Sequence, residues 1–364
     1  MDKILYYGIT NVLGGIESFI INVYRNIDKE KYKIDIVSTY KKICYEKEFI
    51  KSGSKIFTLP SRRENPFKFY FSFWKLLKNH PEYKVIHFHL QSLSCFEPVI
   101  IAKSLGRKTI VHSHNNYKGK SKITYFLHNI FKFILPKFSD QNFACSDLAG
   151  KYMFKNYNFK IIKNAIKSSD FKFNKLIRNR YRKRLDLENK FVIGHIGRFA
   201  YQKNHDFLIE IFKEIYLKDN SAFLLMIGVG DLKTQIINKL KNYNLDGHFL
   251  ILENRSDIPK LMQAMDTFVF PSLFEGLGMV IIEAQSAGLP CVISEALPSD
   301  VIIIEDLIKK IDLSKSSNEW AELVLKTKNI DRRDTINEVI DSGYDIKHEV
   351  KKISKKYDML LSDE

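Results

Sequence analysis

The chain has 364 residues, 45% hydrophobic and 27% charged, a soluble globular composition long enough for two domains with separate cores. Its formal charge of +16 is uneven: residues 1–190 carry 37 Lys and Arg against 15 Asp and Glu, or +22, and residues 191–364 carry 21 against 27, or −6. No stretch approaches the ~18 apolar residues of a membrane span, no signal-peptide pattern opens the chain, and four scattered cysteines without a CxxC pair argue against a disulfide or zinc-cysteine framework.

The first half alternates β-type runs with helical patterns. Strands are expected at Lys3–Ile9, Lys33–Ser38, Val85–Leu90, Thr109–His114 and Gln141–Cys145. Helices are expected at Ile16–Ile27 and near 67–79, 96–105, 121–135 and 147–155. Residues 1–170 thus read as a mostly parallel sheet covered by helices. Phe171–Lys190 is rich in Lys and Arg and poor in apolar periodicity, and reads as an interdomain linker. The alternation restarts at 191, with strands expected at 191–197, 222–228, 248–252, 267–271 and 290–294 and helices near 204–218, 231–243, 257–265 and 278–287. Residues 191–344 therefore read as a second α/β domain, and 345–364 as a C-terminal helix expected to pack back on the first. Two doubly wound domains facing each other would form a cleft at the carboxyl ends of their strands, where ligands bind.

The segment Pro271–Pro290 stands out. Glu275 and Glu283 are eight residues apart, and Glu283 lies in Met279-Val-Ile-Ile-Glu-Ala, otherwise apolar on every side. A buried carboxylate is costly without a partner, which points to a ligand; a structural hydrogen bond is the alternative. Eight helical residues span roughly 12 Å, the scale of a sugar–diphosphate–ribose unit. Gly276 and Gly278 leave the amides of Leu277, Gly278, Met279 and Val280 accessible to an anion at a helix start. Gly197-Arg198 leaves the first strand of the second domain, and Lys203 precedes its first helix. Both cations suit phosphate and stand at the ligand edge of an acidic domain. Gly14-Gly15 follows the first strand and allows close backbone approach to a ligand. It is not the GxGxxG fingerprint, and an ordinary turn reads the same way.

His87-Phe-His89 and His112-Ser-His114 each place two imidazoles on one face of a strand. Four imidazoles suit a metal, yet no carboxylate accompanies them and the chain has no DxD motif, so no metal is expected. His114, followed by Asn115-Asn116 and a loop to 120, is read as a hydrogen-bond donor in the cleft; His87, His89 and His112 are read as structural or acceptor-side. Two segments are both aromatic and basic. In 65–78, Phe67, Tyr70, Phe71, Trp74 and Leu77 share one helical face and Lys68 and Lys75 another; 125–135 is similar. Such helices suit an anionic membrane surface or plain packing on the sheet.

Together these residues resemble the family 4 glycosyltransferases, built on the two-domain GT-B fold. The resemblance covers essentially the whole chain. It rests on Gly14-Gly15, Gly197-Arg198 with Lys203, Gly228-x-Gly230, Arg255-Ser-Asp257, and the E-x7-E segment with Ala287-Gly288-Leu-Pro290. It implies a retaining, metal-independent transfer from a nucleotide sugar, UDP-linked, to a lipid-diphosphate-linked glycan in capsule or exopolysaccharide synthesis, with no cofactor besides the donor. It implies that Arg198 and Lys203 hold the donor diphosphate with the amides around Gly278, Met279 and Val280. Glu275 would bind the transferred sugar and Glu283 the ribose. Gly228, Gly230, Arg255 and Asp257 would cradle the base, and His114 would lie near the sugar. In the family's proposed mechanism the departing phosphate takes the acceptor's proton, so no glycosidase-type carboxylate pair is needed. Lys163-Asn164-Ala165 departs from the family's Pro-Asn-Gly, and the loop Gly276-Leu-Gly-Met279 touches donor selectivity.

The basic first domain is read as resting on anionic membrane rather than nucleic acid, on a cytoplasmic protein peripheral to the inner face of the plasma membrane. Two other readings stay open. A UDP-sugar 2-epimerase of GT-B architecture would isomerise its nucleotide sugar without an acceptor. A non-catalytic polybasic binding protein would have no use for Glu283 or for the Arg198/Lys203 pair.

Overall fold

The computed structural model describes residues 1–12, 14–114, 122–134 and 137–362; Asn115, Asn116 and the rest of the loop to 120 lie outside the described residues. The chain divides into two compact units, Met1–Ile166 with Asp345–Glu364, and Lys167–Tyr344. In chain order the elements are β1 (Asp2–Tyr7), α1 (Gly15–Asn26), β2 (Tyr32–Ser38), α2 (Glu46–Lys51), β3 (Ile56–Thr58), α3 (Pro66–Asn79), β4 (Tyr83–Leu90), α4 (Glu97–Ser104), β5 (Lys108–Ser113), α5 (Lys122–Phe131), β6 (Gln141–Ala144), α6 (Asp147–Phe154) and β7 (Lys160–Ile161). There follow α7 (Ser168–Phe171), α8 (Lys175–Arg184), β8 (Phe191–Ile196), α9 (His205–Lys218), β9 (Ala222–Ile227), α10 (Lys233–Asn242), β10 (Phe249–Leu252), α11 (Ile258–Ala264), β11 (Thr267–Phe270), α12 (Met279–Ser286), β12 (Cys291–Ser294), β13 (Ile308–Ile311), α13 (Ser317–Lys326), α14 (Ile336–Asp341) and α15 (Ile346–Ser362).

Each unit holds one parallel sheet. The first runs β3-β2-β1-β4-β5-β6-β7 and the second β10-β9-β8-β11-β12-β13. Strands covered on both faces need no polar alternation, which is why Ala222–Ile227 and Thr267–Phe270 are apolar or buried at every position. The strand order reverses between β1 and β4 and again between β8 and β11. Ligands of such sheets bind beyond the carboxyl ends of the strands at that reversal, where the loops after β1, β8 and β11 lie. The strands absent from the sequence expectation, β3, β7 and β13, are short and lie at or near sheet edges, and β13 carries Lys309 and Lys310. Edge strands are kept short and charged, which removes the apolar pattern that marks a strand.

The C-terminal helix packs within the first unit. Ile346, Val350, Ile353, Tyr357 and Leu360 share a core with Ile4 and Tyr6 of β1 and Phe19, Ile20 and Tyr24 of α1, following the 3.6-residue apolar repeat. At its start the fully buried Glu349 carboxylate accepts from the Lys163 amide at 3.0 Å and from Lys352 Nζ at 2.7 Å.

The segment 171–190 is not a linker. Its charges cap a buried helix end in the second unit. Gln263, Ala264 and Met265, at the C-terminus of α11, present carbonyls that no turn of helix can satisfy. Arg178 Nη1 of α8 donates to the carbonyls of Gln263 (3.0 Å) and Met265 (2.7 Å), and Arg182 Nη1 donates to that of Ala264 (3.0 Å). Both guanidiniums also meet the Asp266 carboxylate. Cations at a helix C-terminus are favoured by its dipole. This segment docks through arginine, so its missing apolar periodicity was a poor guide.

Helix α3 also turns differently from the expectation. Its buried face is Phe69, Phe73 and Leu77. Phe67 and Phe71 are 85% and 63% exposed, so of the five residues assigned to one face only Leu77 is buried, with Tyr70 packed partly buried against the same core.

Candidate functional site

The loops leaving β8 and β11 are joined by hydrogen bonds. Asn204 Nδ2 donates to the Pro271 carbonyl (3.2 Å), Gln202 Nε2 to the Phe274 carbonyl (2.7 Å), and the Leu273 amide to the Gln202 carbonyl (2.9 Å). Asn204 takes the left-handed conformation at the start of α9, one that Asn tolerates well. These bonds place Lys203 Nζ 2.6 Å from Glu275 Oε1, with side chains only 16% and 8% exposed. The Lys203 ammonium also lies 4.5 Å from the Phe270 ring centroid. Gly197 gives the lysine its path: a Cβ there would lie 3.1 Å from Lys203 Cε. The Arg198 side chain is exposed and makes no hydrogen bond or ion pair among the described residues.

Beyond Glu275, Gly276 lies in open space and Gly278 has φ +80 at the start of α12. No side chain caps this helix, so the first-turn amides, including those of Met279 and Val280, lack a side-chain acceptor. An anion fits such a position. Leu277 lies between the two glycines on the same loop. Glu283 follows one turn into α12, with a partly covered side chain and no hydrogen-bond partner for its carboxylate among the described residues. Its carboxyl sits deep enough that desolvation alone raises its pKa to about 7. A carboxyl whose folded pKa lies above its unfolded one stabilises the fold at low pH and loses that contribution as pH rises through the folded value. Glu283→Gln is therefore expected to raise the melting temperature relative to the parent at pH 8 and to raise it much less at pH 5, close to the ordinary carboxylate range. Equal shifts at both values would contradict a desolvated carboxyl here.

Gly228 and Gly230 have packing reasons. A Cβ on Gly228 would lie 1.9 Å from the Gly197 carbonyl oxygen, and Gly230, at φ +157, lies 2.3 Å by the same measure from that of Phe199. They let the loop after β9 run against the loop after β8. Arg255 and Asp257 pair with each other through bonds of 2.8 and 2.6 Å, and Tyr181 of α8 donates to Asp257 at 2.9 Å. Next to the Lys203 loop, His195 and His205 stack edge to face at 4.8 Å. Burial, followed by the neighbouring imidazole, holds His195 well below the usual range, and burial and Lys203 lower His205 to about 4. Such groups bind protons in the unfolded chain first, so their contribution is complete above pH ~6.5 and lost as pH falls toward 4. For His205 the loss reaches up to about 3 kcal/mol. His205→Asn should flatten the fall in melting temperature between pH 7 and pH 5, and an unchanged slope would refute the assignment.

In the first unit, Gly14-Gly15 begins α1 beyond the carboxyl end of β1. Glu17, 4% exposed, accepts from the Thr10 amide (3.1 Å) and hydroxyl (2.7 Å) and so ties down this loop. A Cβ on Gly15 would lie 3.7 Å from Asn164 Nδ2. Asn164 is buried, with its side chain toward the His114 ring. His114 belongs to the same cluster. Its Nε2 is 2.9 Å from His89 Nδ1, and burial, partly offset by Asn164, lowers its pKa to about 3. His114 is thus a neutral ring set between another imidazole and the Asn164 side chain. Glu17 and Asn164 were not singled out by chemistry in the sequence; an acid two residues past a double glycine was the available signal.

The family model for group 1 glycosyl transferases matches residues 177–338, and that for glycosyltransferase family 4 matches residues 13–168; together they cover most of the chain. The chain belongs to the family 4 glycosyltransferases. Over 364 aligned residues this glycosyltransferase is 27% identical to the putative glycosyltransferase EpsF of Bacillus subtilis, covering 95% of this chain and 94% of that one. It is also 27% identical to an Escherichia coli enzyme named UDP-Gal:alpha-D-GlcNAc-diphosphoundecaprenol alpha-1,3-galactosyltransferase, over 99% of this chain and 98% of that one. Among solved structures, HepE of Anabaena in complex with UDP superposes with a TM-score of 0.79 at 17% identity, covering 99% of this chain and all of that one. A glycosyltransferase from Rickettsia africae superposes at 0.81 and 18% identity, covering 100% and 99%. The glycosyltransferase shares their two-domain GT-B fold.

Proposed function

We propose that this glycosyltransferase transfers a sugar from a UDP-sugar to a lipid-diphosphate-linked glycan in surface polysaccharide synthesis, with retention of configuration and without a metal. The observation that carries the reading is the Lys203–Glu275 contact at 2.6 Å, beside exposed Arg198 and the uncapped start of α12. Breaking a glycosidic bond to a nucleotide leaves negative charge on the departing diphosphate, and preorganised donors at that charge are the largest available catalytic term. Arg198, Lys203 and the amides of Met279 and Val280 are such donors. Glu275 then accepts from hydroxyls of the transferred sugar and Glu283 from the ribose diol. The UDP complex of HepE and the diphosphoundecaprenol named for the E. coli relative support the donor and acceptor classes.

Membrane attachment through the first unit is part of the proposal. No helix among the described residues is long and apolar enough to cross a membrane. Phe67 and Phe71 stand exposed on α3, and Phe126 and Ile130 on α5. Lysines lie against the neighbouring rings, Lys78 4.7 Å from Trp74 and Lys155 3.8 Å from Phe133. Aromatic and cationic groups together suit the interface of an anionic bilayer.

The test is UDP release by purified protein across a panel of UDP-sugars, with and without undecaprenyl-diphosphate-linked sugar and with chelator present. The proposal expects acceptor-dependent release that survives chelation, and a product with the donor's anomeric configuration. Isomerised UDP-sugar formed without acceptor would establish the epimerase reading instead.

A further inference from the structure

We infer that His87, His89 and His112 form a binding site for a divalent cation of the zinc class inside the first unit. His87 and His89 alternate onto one face of β4, and His112 is the register partner of His89 on β5. All three are fully or almost fully buried. One ring nitrogen from each can be chosen so that the three lie within 4.8 Å of one another. A tetrahedral metal at 2.0–2.1 Å from nitrogen needs separations of about 3.3 Å, so loading would draw the three rings closer together.

The surrounding bonds favour this use. Metal-binding histidines are usually held by a hydrogen bond at the other ring nitrogen. His87 Nδ1 lies 2.7 Å from the Tyr357 hydroxyl, and His89 Nδ1 lies 2.9 Å from His114 Nε2. Among the described residues, that leaves Nε2 of His87 and of His89 buried without a hydrogen-bond partner, along with both nitrogens of His112. Buried polar atoms without partners are costly, and one cation would satisfy three of them. Phe19 and Phe143 wall the rings at 4.9 and 5.7 Å from His112. Neutral imidazoles with no thiolate or carboxylate among them suit zinc, cobalt, nickel or copper rather than magnesium or calcium. Three nitrogens with the fourth position left to water is a known zinc arrangement. The site uses none of the residues assigned above to the donor diphosphate, and it does not depend on that assignment. Because Tyr357 belongs to α15, loading the site would also hold the C-terminal helix to the sheet.

The experiment uses untagged full-length protein, stripped with chelator, dialysed, and titrated with Zn2+ and with Co2+. The expected results are one equivalent of metal per chain, a melting temperature raised by several degrees, and Co2+ ligand-field bands of a four-coordinate nitrogen site. His87→Leu and His112→Leu should each abolish the tight equivalent, while exposed His348→Ala should keep it. If the leucine variants fail to fold, X-ray absorption of the zinc-loaded parent decides. Fewer than three imidazole ligands, substoichiometric loading, or retention of the metal by folded leucine variants would overturn the site.

Discussion

Lys203→Ala is expected to lower turnover by about 10²–10³-fold, the range for removing one preorganised donor from a developing oxyanion. The geometry makes the residue hard to replace. Its ammonium is 2.6 Å from Glu275 Oε1 in a site where neither side chain exceeds 16% exposure. Arginine is a poor substitute, because a wide planar fork would replace a compact point charge whose stem runs close along Gly197. The alanine variant also strands the Glu275 carboxylate, so part of the loss will be structural. A double variant separates the two effects: Lys203→Met with Glu275→Gln should melt higher than Lys203→Met alone, yet stay catalytically inert. UDP affinity, with Arg198 and the α12 amides intact, should fall much less than turnover. Turnover within about tenfold of the parent would remove Lys203 from the role argued from general electrostatics.

Asp266→Ala is expected to destabilise the second unit by about 3 kcal/mol, the lower part of the range for removing one partner of a buried ion pair. In a domain of this size that is a fall of roughly 6–12 °C in melting temperature. Asp266 joins Arg178 and Arg182 of α8 to the start of the sheet, because its Oδ2 also accepts from the Val192 amide at 2.7 Å. A third guanidinium, Arg332, donates to the carbonyls of Met262, Gln263 and Met265 at 3.1, 2.7 and 3.0 Å. Burial lowers its pKa to about 9, with Arg178 adding to the effect and Asp266 opposing it. Without Asp266 three cations crowd one helix end with no anion among them. Thermal unfolding of the alanine variant, with Asp266→Asn as the milder comparison, measures this. A shift below about 2 °C would show that the carbonyls alone satisfy the arginines.

The sequence expectations succeeded and failed for reasons that particular residues make clear. Apolar strands such as Phe191–Ile196 and Ala222–Ile227 were legible because a parallel sheet covered on both faces needs continuous hydrophobic runs. Lys203, Glu275 and Glu283 stood out in the sequence because charged residues beside glycines, or inside an apolar helix, demand an explanation, and the structure brings Lys203 and Glu275 into contact. The helix at 175–184 was not legible, since its contacts are made by arginines to carbonyls 82 and 85 residues away. The face of α3 was misjudged because aromatic residues occupy both of its sides.

By itself the sequence determined the α/β alternation, the family, and the residue types available for a diphosphate and a sugar, because these follow from local periodicity and from short motifs. Only the tertiary structure decided that Lys203 meets Glu275, that Glu17 ties down the loop before Gly14-Gly15, and that four histidines gather under α1 and α15. Those facts depend on strand order and on loops crossing a sheet reversal. Hydrogen bonds and burial between residues distant in the chain set them, and no local pattern encodes that.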